Sequence, residues 1–149
     1  MAKGWTRWRE LGWNERAMLA EAAVTLAVAS FAIAMRPFRK VVAIAARAPA
    51  RDCADPARRR ATIARVVWAV EAMGRRLPWR IVCFQKGLAV HLMLRRRGVG
   101  TILHYGVAQS AAKGLTAHVW ITDDGVPIIG GEEAGTHTCL ATFPSAVRA

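Results

Sequence analysis

Two side chains in the middle of the chain have the types needed for thiol catalysis. Cys83 follows Leu77-Pro78-Trp79-Arg80 and opens a predicted helix over 83–97, and the free N–H groups at a helix amino terminus stabilise a thiolate. His118 lies on a predicted strand over 116–122, and an imidazole can take the thiol proton and return it to a leaving amine. The pair predicts a nucleophilic thiol centre. A buried structural cysteine and a hydrogen-bonded strand histidine are the alternatives.

The other histidines fit this role less well. His91 lies eight residues along the same predicted helix as Cys83, so the two backbones are ~12 Å apart at the 1.5 Å rise per residue. His104 could share the face of the sheet with His118, but it lacks the same flanking pattern, and His137 lies near the end of the chain. His118 is therefore the predicted base.

A hairpin sets the register of the strand that carries this histidine. Asp124-Gly125 is a strong signal for a two-residue turn. This turn pairs Asp123 with Val126, and the same register places His118 opposite Gly131. A bulge beside that glycine would help to aim a side chain at the imidazole.

A third group should hold the other nitrogen of the imidazole. Asp124 is ~20 Å from His118 along an extended strand at 3.3 Å per residue, and Asp123 fails by the same measure. Glu132, or failing that Glu133, is the predicted orienting acid.

The elements that position these residues follow from composition and periodicity. Residues 1–80 are rich in alanine and arginine, whereas 99–143 are rich in glycine, β-branched residues and turn signals. Helices followed by antiparallel strands predict an α+β fold, with a helix laid on the sheet. Helices are expected at 14–35, 37–47, 55–76 and 83–97, and strands at 101–107, 116–122 and 126–129.

One compact domain is expected from a chain of 149 residues. Within it, residues 1–50 form an N-terminal helical segment, and residues 51–149 form the core that carries the thiol centre.

The net charge of +12 favours encounters with an acidic peptide, an anionic membrane or nucleic acid. The arginine blocks at 58–60, 75–76 and 95–97 lie beside helical patterns and lack an aromatic RNA-binding signature. They are predicted to be solvated helix ends, so no nucleic-acid partner is expected.

The three cysteines, Cys53, Cys83 and Cys139, are widely spaced and odd in number. No Cys/His group has the spacing of zinc ligands, so neither a metal nor another cofactor is expected. At least one thiol is unpaired within the chain, which suits a reducing cytoplasm.

The apolar run from Ala17 to Met35 approaches the length of a membrane span. Glu21 within it would be costly in lipid, and much of the run is weakly hydrophobic alanine. The run predicts either a helix packed on the domain or an anchor at the surface of the inner membrane.

Several short motifs, in this order and spacing, resemble the lasso-peptide biosynthesis B proteins. These proteins are bacterial leader peptidases related to the transglutaminase-like superfamily. The likeness covers about residues 60–143. Its motifs are Leu77–Arg80, Cys83, Leu94–Val99, Leu103–Val107, Ala117–Trp120 and Ile129–Glu132.

The resemblance implies a papain-like or transglutaminase-like α+β fold, with Cys83 as nucleophile and His118 as general base. The family's acid is usually an aspartate on the strand after the histidine, where this chain reads Ile128–Glu132. That departure leaves either Glu132 as the acid or a working Cys-His dyad.

The implied substrate is the precursor of a lasso peptide, whose leader would be removed. No strand-rich leader-recognition pattern is present in the sequence, so the resemblance implies a separate recognition protein and an ATP-dependent cyclase as partners. Two rivals stay open. One is acyl transfer by the same centre, as in a transglutaminase, and the other is a basic membrane-associated scaffold whose cysteine is only structural.

Overall fold

The computed structural model describes residues 11–47, 53–110, 112 and 114–144. Predictions that fall on 1–10, 48–52 or 145–149 lie outside these residues. The helices are α1 (Trp13–Met35), α2 (Phe38–Ala45), α3 (Pro56–Gly74) and α4 (Cys83–Arg96). The strands are β1 (Ile102–Ser110), β2 (Gly114–Asp123), β3 (Val126–Ile129) and β4 (Thr138–Phe143), with a 3₁₀ helix (Gly131–Thr136) between the last two.

The predicted α+β fold is confirmed, and the helix boundaries agree within a few residues. At the start of α3, the Asp55 side chain accepts a hydrogen bond from the Ala57 N–H at 2.9 Å, and Pro56 occupies the first helical position. At the start of α4, the Val82 N–H donates to Gln85 Oε1 at 2.6 Å. This bond ties down the turn from which Cys83 enters the helix.

The four strands form one antiparallel sheet in the order β3-β2-β1-β4. The first three strands make the predicted meander, and β4 returns to lie beside β1, which is the order of a Greek key. β4 was not predicted, because its pairing partner is more than 30 residues earlier in the chain and no nearby turn signals it.

The predicted register of the hairpin is confirmed at its turn, where Asp123 pairs with Val126. Further along, the register shifts between Ile121 and Thr122, and Ile121 pairs with Ile129. The bulge therefore lies earlier than predicted. The ladder also ends before it reaches His118, so the predicted position of that residue opposite Gly131 is wrong.

α4 lies at the centre of the molecule, between the other helices and the sheet. On one side, its Val90 and Met93 pack with Leu26 of α1 and Val66 and Val70 of α3. Its other side packs on the sheet through further fully buried side chains, among them Leu88, Leu103 and Ile121.

The close approach of α4 to β2 depends on Gly87. A Cβ atom on this residue would lie 2.8 Å from Val119 Cγ1, closer than two carbon atoms can pack. Gly87 lies about one turn after Cys83, so the same contact brings the start of the helix near the strand that carries His118.

One face of α1 is buried against α3 and α4, and the opposite face is exposed and apolar. Val24, Val28, Phe31 and Met35 on this outer face are each more than half exposed. α1 meets the length and hydropathy criteria for a membrane-crossing helix, and contact with a membrane surface stays a prediction.

Glu21, whose charge counted against lipid contact, is turned towards the protein. It forms ion pairs with Arg97 and Arg96. The hydrogen bond from Arg97 lowers the pKa of Glu21 from its usual value, although burial opposes this effect. The carboxylate of Glu21 therefore stays ionised, and the two arginines balance its charge. The ion pairs link α1 to the end of α4.

Candidate active site

Cys83 is the first residue of α4 and is half-buried. The first N–H groups of a helix have no partner within the helix. At this position they can stabilise an anionic sulfur, or a developing oxyanion on a bound substrate. The helix start thus gives Cys83 the surroundings of a nucleophile.

His118 lies on β2 with its side chain largely buried. Its Nε2 atom is 2.7 Å from the main-chain oxygen of Gly130. A carbonyl oxygen only accepts hydrogen bonds, so Nε2 carries the proton and donates it. The Nδ1 atom of the neutral ring then holds the free lone pair, which is the form required of a general base.

Gly130 can take this role because it is a glycine. Its φ is +72°, in the left-handed region, and a Cβ atom there would lie 2.7 Å from the Val119 oxygen and 3.3 Å from His118 Nε2. Only glycine brings this carbonyl so close to the imidazole without strain.

A stack of rings supports the same imidazole. The His118 ring lies 6.1 Å from the Trp120 ring at an angle of 17°, and the other stacked neighbour of Trp120 is His104, at 5.2 Å and 3°. Gly106 leaves room for this indole, because a Cβ atom there would lie 2.8 Å from its ring. The Trp120 ring thus helps to hold His118 in place.

The two predicted acids lie in different places. Glu132 lines the cavity that also contains Cys83 and His118. Glu133, on the same 3₁₀ helix, brings its Oε2 atom to 3.8 Å from His118 Nδ1, although its side chain is 70% exposed. The contact predicted between Glu132 and the imidazole is instead made by the Gly130 carbonyl, which accepts the hydrogen bond from His118 Nε2. Gly130 comes two residues before Glu132, and the main chain already faces the ring at that point.

Cys83 and His118 line one cavity of about 380 Å³, at the junction of α3, α4 and β3. No direct hydrogen bond joins these two described side chains. An ion pair forms part of the wall, with Lys86 Nζ 3.0 Å from Glu71 Oε2. A space of this size beside a thiol can admit part of a peptide.

Sequence reasoning missed the main-chain orienter and the ring stack. The adjacent glycines Gly130-Gly131, directly after a strand, were the available signal for a close backbone approach. The sequence pattern predicts only a bulge at these glycines.

His91 has a structural role. It is buried, with Nε2 2.8 Å from the Ala45 oxygen and Nδ1 2.9 Å from Thr101 Oγ1. Burial lowers the pKa of His91, while its hydrogen bond to Ala45 opposes this effect. Both ring nitrogens are occupied, so this ring has no nitrogen left to act as a base.

Within the described part of the chain, no group of three or more His, Cys, Asp or Glu side chains is arranged to hold a metal ion. The three thiols, of Cys53, Cys83 and Cys139, are free of disulfides. The Cys83 thiol and the His118 imidazole are side chains of this cavity that can take part in nucleophilic chemistry.

A comparison with protein families adds an independent observation. The model of the transglutaminase-like superfamily matches residues 24–141. The chain belongs to this superfamily. Its members include cysteine peptidases and acyltransferases and are commonly cysteine-dependent enzymes. Neither the curated proteins nor the solved structures compared with the chain gave a match.

Proposed function

We propose that this protein is a cysteine peptidase that removes the leader from a lasso-peptide precursor. The observation that carries the proposal is one cavity lined by both a helix-start thiol and an imidazole whose Nε2 atom is held. Membership of a superfamily of thiol enzymes supports the chemistry. The order of motifs from Leu77 to Glu132 supports the choice of substrate.

In the first half of the reaction, Nδ1 of His118 takes the proton of the Cys83 thiol. The thiolate attacks the carbonyl carbon at the junction of leader and core. The Cys83 N–H at the helix start donates to the resulting oxyanion. When the C–N bond breaks, His118 returns the proton to the departing amine, and the leader stays on Cys83 as a thioester.

In the second half, water replaces the amine. His118 accepts a proton from the water, whose oxygen attacks the thioester carbonyl. Breakage of the C–S bond releases the leader with a free carboxylate and restores the thiol. The freed amine of the core becomes the nucleophile for ring closure.

The group that orients His118 departs from the family's usual aspartate. In the proposed mechanism the Gly130 carbonyl takes that place, holding Nε2–H and so keeping Nδ1 as the base. The Glu133 carboxylate, 3.8 Å from Nδ1, attracts the imidazolium formed after proton transfer. Because this carboxylate is largely exposed, water screens the attraction and its contribution is small.

The proposal includes partners and a location. A separate recognition protein would deliver the leader, and an ATP-dependent cyclase would close the ring. Such a system would work in the cytoplasm, where thiols stay reduced, with peripheral contact to the inner membrane through residues 17–35. The apolar outer face of α1 supports that contact.

Acyl transfer is the second candidate, because the superfamily also includes acyltransferases. Both reactions pass through the same thioester on Cys83 and differ in whether water or an amine attacks it. The acceptor therefore decides between them.

Mass spectrometry of a reacted precursor tests both candidates. The purified protein is incubated with a lasso-peptide precursor, a leader-recognition protein and a primary amine. If the protein removes the leader, the spectra should show a leader that ends in a free carboxylate and a core peptide with a new amino terminus. An amine adduct would replace the peptidase proposal with acyl transfer, and equal conversion by Cys83→Ala would contradict both.

A further inference from the structure

A second cavity, of about 600 Å³, lies between α3 and the β2–β3 hairpin. Val126 on the hairpin lines this cavity and is 64% exposed. We call this cavity the hairpin groove. The apolar side chains that line it are Ile63, Ala64, Val67, Val126 and Ile128.

The hairpin groove adjoins the cavity of Cys83 and His118. Val67 of α3 and Ile128 of β3 line both spaces. A peptide whose carbonyl carbon lies at Cys83 would therefore have neighbouring residues within reach of the groove, since each extended residue spans about 3.3 Å.

Charge at the end of the groove is balanced within the protein. The Arg59 Nε atom lies 3.0 Å from Asp123 Oδ1, and Arg59 Nη2 donates to the Gly100 oxygen at 2.8 Å. Arg60 and Asp124, whose formal charges are opposite, also line the groove. A charged side chain would gain little here, whereas a large apolar one would leave water for an apolar wall.

We propose that the hairpin groove is a substrate subsite that selects a large aliphatic or aromatic side chain close to the scissile bond. The inference rests on the proposed function, in that Cys83 attacks a peptide carbonyl. It adds the class of residue that the substrate must carry and the surface that recognises it.

A peptide library tests the subsite without knowledge of the natural precursor. Full-length protein is incubated with a mixed library of synthetic peptides, and mass spectrometry identifies the cleaved bonds. Leucine, isoleucine, phenylalanine or tryptophan should be enriched at one fixed position relative to the cut. Cleavage with no apolar preference would overturn the subsite and leave the peptidase proposal standing.

A matched pair of variants locates the preference on the protein. Val126→Glu puts a carboxylate into the groove, whereas Leu115→Glu makes the same change in charge at another exposed strand residue, 72% exposed on β2. Val126→Glu should lower kcat/KM for the enriched peptides about tenfold, through KM, and Leu115→Glu should leave it within twofold. Equal losses in the two variants would contradict the subsite.

Covalent probes separate failure of the subsite from failure of the peptidase proposal. Cys83 displaces chloride from a peptidyl chloromethyl ketone, forming a thioether and releasing chloride. Acetyl-Leu-Leu-Ala-chloromethyl ketone should label Cys83 about tenfold faster than its Gly-Gly counterpart, and Val126→Glu should remove the difference. If no library peptide is cleaved but this preference persists, the subsite stands and peptidase activity does not. Equal labelling rates would overturn the subsite.

Discussion

Two regions of this molecule combine a thiol with an imidazole, and only one of the two thiols, that of Cys83, lies at a helix start. Cys139 Sγ is 3.9 Å from His104 Nδ1, on the β1–β4 side of the sheet. Cys83 and His118 line a cavity on the β2–β3 side. The two regions are linked through Trp120, whose ring stacks on both His104 and His118.

We infer from this difference that a short distance between sulfur and nitrogen is not sufficient for a catalytic pair. Cys139 is exposed on an edge strand, where no helix start supplies free N–H groups to a thiolate or an oxyanion. Cys83 has that helix start, a partly enclosed cavity and a base whose second nitrogen is held. We therefore expect the two regions to respond very differently to the same substitutions.

The largest contrast is expected for the thiols themselves. Cys83→Ser should lower the rate of leader removal at least about a thousandfold, because a serine in this setting is a far weaker nucleophile. Cys139→Ser should leave the rate within twofold. Single-turnover cleavage followed by mass spectrometry measures both, and a large loss in Cys139→Ser would reverse the assignment.

Substitution of the two histidines should show the same contrast, with a large loss of kcat for His118 and a small one for His104. His118→Phe removes the base and should lower kcat by about 10² to 10⁴, with a far-ultraviolet circular dichroism spectrum like that of the wild type. His104→Phe keeps an aromatic ring against Trp120 and should cost no more than a few fold. Similar losses in both would mean that the ring stack, rather than proton transfer, limits the rate.

Substitution of two glycines with similar backbone conformations distinguishes the effect of backbone strain from the effect of misplacing the His118 imidazole. Gly130→Ala and Gly125→Ala both place a side chain at positive φ, +72° and +81°, which should cost about 1–3 kcal/mol of stability. Only Gly130→Ala also pushes against His118 Nε2 and the Val119 oxygen, so only it should lower kcat, about tenfold or more. Urea denaturation gives the stability, and equal kcat values would contradict a role for the Gly130 carbonyl.

A smaller effect is expected from the glutamates beside the cavity. Glu133→Gln removes the carboxylate near Nδ1 and should lower kcat a few fold, because the imidazolium loses a screened partner. Glu132→Gln on the same 3₁₀ helix is the matched control and should have less effect. The reverse order would favour Glu132, the acid predicted from the sequence, over Glu133.

The smallest effect concerns the stability of the fold in mild acid. Burial lowers the pKa values of His91 and His104, so the folded state takes up these protons less readily than the unfolded state. Their contribution to stability is present above the ordinary histidine pKa of about 6.5 and is lost as pH falls through the lowered values. Urea midpoints should drop between pH 7.5 and 5.5, and His91→Gln should flatten this dependence.

Much of the fold could be predicted from local signals. Asp55-Pro56 predicts the start of α3, and Asp124-Gly125 predicts the hairpin in which Asp123 pairs with Val126. The start of α4 at Cys83 followed from the break at Pro78 and the apolar period after it. Each of these signals acts over a few residues, which is the range that a sequence pattern can report.

The third member of the site could not be predicted in this way. The register of β2 and β3 shifts by one residue between Ile121 and Thr122, and their pairing ends at Ile129. The chain after β3 forms a 3₁₀ helix instead of extending beside His118. That winding turned Glu133 towards Nδ1 and gave the Nε2 contact to a main-chain oxygen. The pattern of side chains along a sequence does not predict which main-chain carbonyl will face a given ring, as the Gly130 carbonyl faces His118.

The amino-acid sequence by itself determined the chemical groups, the helix that begins at the thiol and the strand that carries the base, because capping, turn and periodicity preferences are local. Only the tertiary structure decided that these groups share a cavity, that Gly130 holds the imidazole and that an apolar groove adjoins the site. Each of these depends on contacts between segments far apart in the chain, and packing around Gly87 and Gly130 sets those contacts.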